Sequence, residues 1–296
     1  MTAADGNSLY GETKFVRRPK KKTHVLVEGP KDRVLWEKFK SEDCHLIPHD
    51  GKDNIIDAIK TATKRRERGR VGIVDGDYGL ITNSNDLQLE NLLYDEDYPD
   101  SELILLSSPA LENALREDLP TRYIRHTPRL AETLRDVAIR IGSEFGYFRL
   151  LNLIKNYRLK FKGIRITDYI NPDTLEIDRD SFAKTLVKRK RWVTSDHLLH
   201  QVEALRTQHC VGDVQLCRGK DVLAIIAHIS PTVFRQVTRK NMSKSTRRKF
   251  RNNELTSSIR KSYESRFFKT TTLHDSIRRW ERDRKNKKHK ILADDI

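Results

Sequence analysis

Glu28, Asp32, Asp75, Asp77 and Glu112 carry the strongest chemical signal in this sequence. Glu28 ends an apolar run, THVLV (Thr23–Val27), is followed by Gly29-Pro30, and has Asp32 one helical turn beyond it. Asp75 and Asp77 flank a glycine directly after another apolar run, Val71–Val74, and Glu112 follows a later one, Leu103–Leu106. Carboxylates that meet in one place repel one another and hold their protons unless a cation neutralises them, so such a set points to Mg²⁺ or Mn²⁺. Ligation by oxygen alone argues against zinc. In Asp75-Gly76-Asp77 the alternation of an extended chain would put both side chains on one side, and Gly76 would let backbone come close to a metal or phosphate. A lone tripeptide of this kind equally suits a hairpin turn or a solvated loop. It is the strand-ending Glu28, one crossover upstream, that turns the reading toward a site.

These acids need elements to hold them. Strands are expected at Thr23–Val27, Cys44–Pro48, Val71–Val74 and Leu103–Leu106, with helices at Asp32–Phe39 and about Asp53–Arg66 between them. Strands alternating with helices of this length predict an α/β fold, a mostly parallel sheet flanked by helices. The acids then fall at the carboxyl ends of its strands, where sites of such sheets form. From Pro128, apolar residues recur at steps of three and four to about Arg158, which predicts a long amphipathic helix interrupted in propensity by Gly142 and Gly146. That helix could pack within the chain or against a second copy, giving a homodimer. A loop or short hairpin over Gly163–Asp180 and helices at Asp180–Lys190, Ser195–Thr207 and Asp221–Ile229 make the second half mainly α-helical.

The residues VLVEGPKD (Val25–Asp32), Gly51 and VGIVDGD (Val71–Asp77) resemble the Toprim domain, a Rossmann-like fold shared by topoisomerases, primases and overcoming-lysogenization-defect (OLD) nucleases. The resemblance covers about the first 120 residues. Topoisomerase-type members carry a third acid two positions after the second aspartate, where this chain has Gly79, so the nuclease branch is favoured. Asp32 matches the OLD-type acid four residues after the glutamate, and Ser108-Pro109-Ala110-Leu111-Glu112 matches its later Ser-x-x-Glu element loosely. The whole arrangement, with CRGKDVLAIIA in the second half, is similar to the AriB family of effectors of the PARIS anti-phage defence system.

The resemblance implies a metal-dependent endoribonuclease that cuts host tRNA, is held inactive by an ABC-type ATPase partner acting as sensor, and is released during infection. The expected layout is a basic segment over 1–22, a catalytic Toprim domain over 23–125 and a helical domain over 126–296. Two ions about 4 Å apart would stabilise entering and leaving oxygens of a phosphodiester. Asp75, Asp77 and Glu112 would surround one, and Glu28 and Asp32 the other. Glu28 could also move a proton. A cation near the scissile phosphate would help, with Lys31 and Lys52 among many candidates.

Charge supports a polyanion partner. The 296-residue chain has 58 Lys+Arg against 42 Asp+Glu, a net +16. Residues Arg235–Lys290 hold 20 basic and 5 acidic side chains, a net +15, so the excess is a C-terminal feature. Arg247, Arg248, Lys249, Arg251, Arg260, Lys261 and Lys269 are the expected phosphate contacts, with Phe250, Tyr263, Phe267 or Trp280 either stacking on bases or lining a helical core. A second basic run, Arg17–Lys22, precedes the first strand. Cys44, Cys210 and Cys217 form no CxxC pair and are read as reduced thiols. His197, His200 and His209 with Cys210 and Cys217 match no standard zinc spacing. No GxxxxGK[ST] or GxGxxG loop is present, no apolar run is long enough to span a membrane, and the expected location is cytoplasmic.

Overall fold

The computed structural model describes residues 22–188, 190, 192–208, 212–283 and 286–296. Arg17–Lys21, His209 and Cys210 lie outside the described residues. The described residues form two compact units, one comprising those up to Ser101 together with Glu264–Ile296, the other those of Glu102–Tyr263. The sequence reading began the helical domain at residue 126; by contacts the second unit begins at Glu102, and Glu264–Ile296 belongs with the first unit.

In the first unit β1 (Thr23–Val27), α1 (Pro30–Trp36), β2 (Cys44–Pro48), α2 (Lys52–Lys64), β3 (Arg70–Ile73) and the two-residue β4 (Leu92–Leu93) follow in order. The four strands form one parallel sheet in the order β2-β1-β3-β4. β1 is apolar and almost fully buried, as a strand covered on both faces must be. α1 opens on Pro30, whose fixed φ suits the first helical turn. α2 turns Ile55, Ile56 and Ile59 toward Leu26, Val74 and Leu92 of the sheet. Successive strands therefore step outward on one side of β1 and then cross to its other side. The switch point lies between the ends of β1 and β3.

Leu103–Leu106 is not the fourth strand. These residues lie inside the helix α3 (Ser101–Ser107), and all four leucine and isoleucine side chains are buried. A helix covered on every side shows no period, so a four-residue apolar run looks the same in either state. The true fourth strand, Leu92–Leu93, is too short to leave a pattern.

The second unit continues through α4 (Ala110–Asp118) and α5 (Thr127–Lys155), a 29-residue helix that is unbroken at Gly142 and Gly146. Those glycines let a neighbouring segment approach. A Cβ on Gly146 would stand 2.1 Å from the Leu216 carbonyl oxygen, and one on Gly142 3.0 Å from Cys217 Sγ. The short hairpin β5 (Ile170–Asn171) and β6 (Glu176–Ile177) precedes α6 (Arg179–Val187), α7 (Ser195–Gln208) and α8 (Gly219–Thr238). Phe182 of α6 packs edge-on against Phe145 and Phe148 of α5. α9 (Lys244–Lys249) and α10 (Asn252–Ser262) complete this unit.

The chain then returns to the first unit, which sequence patterning had not indicated. Phe268 stacks on Phe39 with ring centres 4.8 Å apart. Ile291 and Ala293 exchange main-chain hydrogen bonds with Ser41 and Phe39. The helix α11 (Thr272–Arg282) is fixed at its start by Asp95, which is 3% exposed. The Asp95 carboxylate accepts the amides of Asp97 (3.0 Å), Tyr98 (2.9 Å) and Leu273 (3.1 Å). Trp280 donates its indole N–H to Asn91 at 2.9 Å. Among the described residues no helix is long and apolar enough to cross a membrane.

Candidate metal centre

Register places the acids. Val27 of β1 pairs with Ile73 of β3, so the residues that follow each strand emerge at one level. There the Asp75 amide donates to Glu28 Oε1 at 2.8 Å, linking the two central strand ends directly. Asp75 Oδ1 accepts the Ser101 amide at 3.1 Å, and the Ser101 hydroxyl donates to Asp32 Oδ1 at 3.3 Å. Glu28, Asp32 and Asp75 are thus connected through one network at the switch point, where ligands of open α/β sheets bind.

Electrostatics distinguish these acids. The Asp75 carboxyl is held well above the usual carboxylate range, first by removal from water and then by the charges of Asp100, Glu28, Asp32 and Asp77. Burial also raises Glu28, opposed by the Asp75 amide and Lys52 and reinforced by Asp77 and Asp32. Asp100, seven residues beyond β4, is therefore part of the cluster, and sequence reasoning missed it together with Ser101. The signal was present in Tyr98-Pro99-Asp100-Ser101, a turn leading into a helix start.

The Asp75-Gly76-Asp77 tripeptide is not an extended strand tip. β3 stops at Ile73, and Asp77 is left-handed at φ 49° with its amide donating to the Pro99 carbonyl at 2.9 Å. Gly76 packs closely: a Cβ there would come within 2.9 Å of three side-chain carbons of Leu80, which would have to shift. The turn is secured by Lys52, the first residue of α2, which follows Gly51 at φ 94°. Its ammonium donates to the carbonyls of Asp75 (2.6 Å) and Gly76 (3.1 Å) and to Asp77 Oδ2 (3.3 Å). Of the cations left open by the sequence, Lys52 is thus one that reaches the acidic turn.

Glu112 is not delivered by the sheet. With no strand at Leu103–Leu106, it sits in the first turn of α4 in the second unit and pairs with Arg116 at 2.6 Å. Of the acids that follow the fourth strand, Asp100 is the one whose charge acts on Asp75.

The donor set suits a hard divalent ion, being all oxygen and containing carboxyls whose proton affinity is raised first by burial and then by one another's charge. Among the described residues no three His, Cys, Asp or Glu side chains are already drawn together as a metal-holding group. The carboxylates are turned instead to main-chain amides, Ser101 and Lys52. Among the described residues of the second unit the histidines and cysteine are not drawn together as a metal-holding group either. His197 and His200 are exposed on α7, with His197 bonded to the Tyr157 hydroxyl. Cys217 is buried, its thiol donating to Ile139 and Asp213 carbonyls. The Cys44 thiol is pushed up to about 12 by burial and stays protonated.

The basic residues separate into two groups. Arg260 is paired with nearly buried Glu102 at 3.0 Å, Lys249 with Asp118 at 3.1 Å, and Lys269, in the first unit, donates to the Asp295 carbonyl. Lys261 is exposed on α10. Arg247, Arg248 and Arg251 line a cleft together with Lys244. Phe250, Tyr263 and Trp280 are buried core residues, and Phe267 is half-buried beneath the Arg266 guanidinium. No protein-family model matches the chain, and no curated protein matches it significantly.

Proposed function

We propose that this chain is a Mg²⁺- or Mn²⁺-dependent nuclease of Toprim type, acting on RNA as an AriB-like anti-phage effector with tRNA as its substrate. The observation that carries the reading is the network joining Glu28, Asp32 and Asp75 at the switch point of a parallel sheet, with Asp77 and Asp100 beside it. Glu28, Asp32, Asp75, Asp77 and Asp100 would hold one or two ions, Asp100 taking the place that the sequence had given to Glu112. Bound there, divalent ions supply charge neutralisation at the phosphate and an acidified water.

The remaining chemistry belongs to the chain. Lys52 fixes the Asp75–Asp77 turn, so that the acids do not have to be ordered when substrate arrives. Glu28 holds a proton more readily than an ordinary glutamate and is suited to passing one to or from a phosphate oxygen. The basic second unit grips the polyanion. Control by an ABC-type ATPase partner, and a homodimeric state, rest on the family resemblance and on the periodicity of α5.

One observation favours a second reading, a nucleic-acid binder without turnover: the Lys52 ammonium already supplies positive charge to the acidic turn. Incubation of the purified chain with tRNA, other RNA and plasmid DNA in Mg²⁺ separates the readings. Discrete tRNA cuts are expected. Cuts in DNA alone would move the substrate class, and salt-sensitive binding without any product would favour the binder.

A further inference from the structure

The cleft between α8 and α9 is lined by Ala227, His228 and Pro231 on one wall, by Lys244, Arg247, Arg248 and Arg251 on the other, and by Phe250. Its volume is about 630 Å³. Among the described residues no acidic side chain lines it. Lys244, Arg247, Arg248 and Arg251 have no ion-pair partner among the described residues, whereas the nearby cations Lys249 and Arg260 do. Four like charges around one concavity repel one another, and folding alone gives no reason to gather them without counter-charges.

The wall opposite them is fixed. Pro231 lies inside α8 and has no N–H for the Ala227 carbonyl, which accepts the Ser230 hydroxyl at 3.1 Å instead. His228 donates from Nε2 to the Ile170 carbonyl at 3.2 Å, which holds its ring in place. The cleft is therefore a shaped cationic surface supported by a braced helix.

We infer that this cleft is an anchoring site for the phosphodiester backbone of a nucleic acid, and that it reads charge and not base identity. Three of its cations are guanidinium forks, matched to phosphate oxygens. The aromatic beside them, Phe250, is 1% exposed and has no face to offer a base, and the His228 ring across the cleft is tied by Nε2 to the Ile170 carbonyl, so phosphate contacts and not base stacking dominate the lining. Contacts limited to phosphates position a polymer without reading its sequence. Only the identification of the polymer as RNA rests on the nuclease reading. The anchoring itself does not require turnover.

The test is fluorescence anisotropy with the full chain carrying Glu28→Gln, so that nothing is cut, using total tRNA and 20-mers of uridine and of adenosine over a range of salt. Replacing Arg247, Arg248 and Arg251 together by Ala is expected to weaken all three probes at least tenfold and to the same extent. It should also reduce the salt slope by about 2, at roughly 0.7 per phosphate contact on single strands. The triple Lys variant is expected to keep the slope, which separates lost charge from lost fold; circular dichroism melts of both variants should match the parent. Unchanged affinity and slope in the Ala variant, or a loss confined to one homopolymer, would overturn the proposal. If nucleic-acid binding is unchanged while binding of polyglutamate is lost, the cleft belongs to an acidic protein surface and the proposal also fails. Absence of cleavage by the parent chain would count against the nuclease reading and leave this result standing.

Discussion

The Lys52 ammonium lies 2.6 Å from the main-chain carbonyl of Asp75. Reaching on to Gly76 and Asp77, it closes the turn that carries two of the site's acids, while its side chain remains only 20% exposed. Charge-assisted hydrogen bonds in such surroundings are worth about 1.5–3 kcal/mol. Lys52→Met should therefore lower unfolding stability by about 2 kcal/mol, read as a lower urea midpoint at unchanged slope. An unchanged midpoint would show that the turn holds without it.

Glu28 and Asp75 bind protons more tightly in the folded chain than in the unfolded one. Between the ordinary carboxylate pKa near 4 and their raised folded values, the native state carries more protons, so their contribution lowers stability as pH rises through that window. Above it the cost is fully present, and a divalent cation can offset it. Addition of Mn²⁺ should accordingly raise the melting temperature more at about pH 7.5 than at about pH 5, in differential scanning fluorimetry. Equal shifts at both pH values would dissociate the metal from these carboxyls.

Much of this site was legible because its signals are local. β1, β2 and β3 are short apolar runs with helices between them, and Glu28, Asp32, Asp75 and Asp77 follow from their ends. The rest depended on tertiary context. α3 is buried all round and so has no period, which led to a strand at Leu103–Leu106 and to Glu112 as its acid. Asp100 follows a two-residue strand that no pattern betrays. Lys52 is one lysine among many until the Asp75–Asp77 turn bends back over it. The return of the C-terminal segment rests on contacts such as Phe268 with Phe39 and Asp95 with Leu273, which join residues about 180–230 apart in sequence.

Asp95 tests that return. Its carboxylate serves two amides of the acidic loop and the Leu273 amide at the start of α11. Asp95→Ala leaves these donors without an acceptor, and a buried unmet group such as the Leu273 amide costs about 1–3 kcal/mol. A stability loss of at least about 2 kcal/mol is expected, with faster hydrogen exchange at the Leu273 amide. Unaltered exchange there would mean that α11 is held by other contacts.

Gly146 reverses a familiar expectation. Replacing a mid-helix glycine by alanine ordinarily gains about 1 kcal/mol, yet here the added Cβ would stand 2.1 Å from a backbone carbonyl. Gly146→Ala should destabilise by about 3 kcal/mol, since backbone cannot give way as a side chain can. A raised melting temperature would contradict the close approach at Leu216.

The most direct measurement for the account as a whole is single-turnover cleavage of tRNA by the purified chain in Mn²⁺, with and without chelator, beside Glu28→Gln and Asp75→Asn. Cleavage is predicted to require the metal and to fall at least a hundredfold in both variants, roughly 2.7 kcal/mol of transition-state stabilisation, while their circular dichroism spectra stay native. Cleavage that survives chelation, or that persists in folded Glu28→Gln and Asp75→Asn, would contradict it.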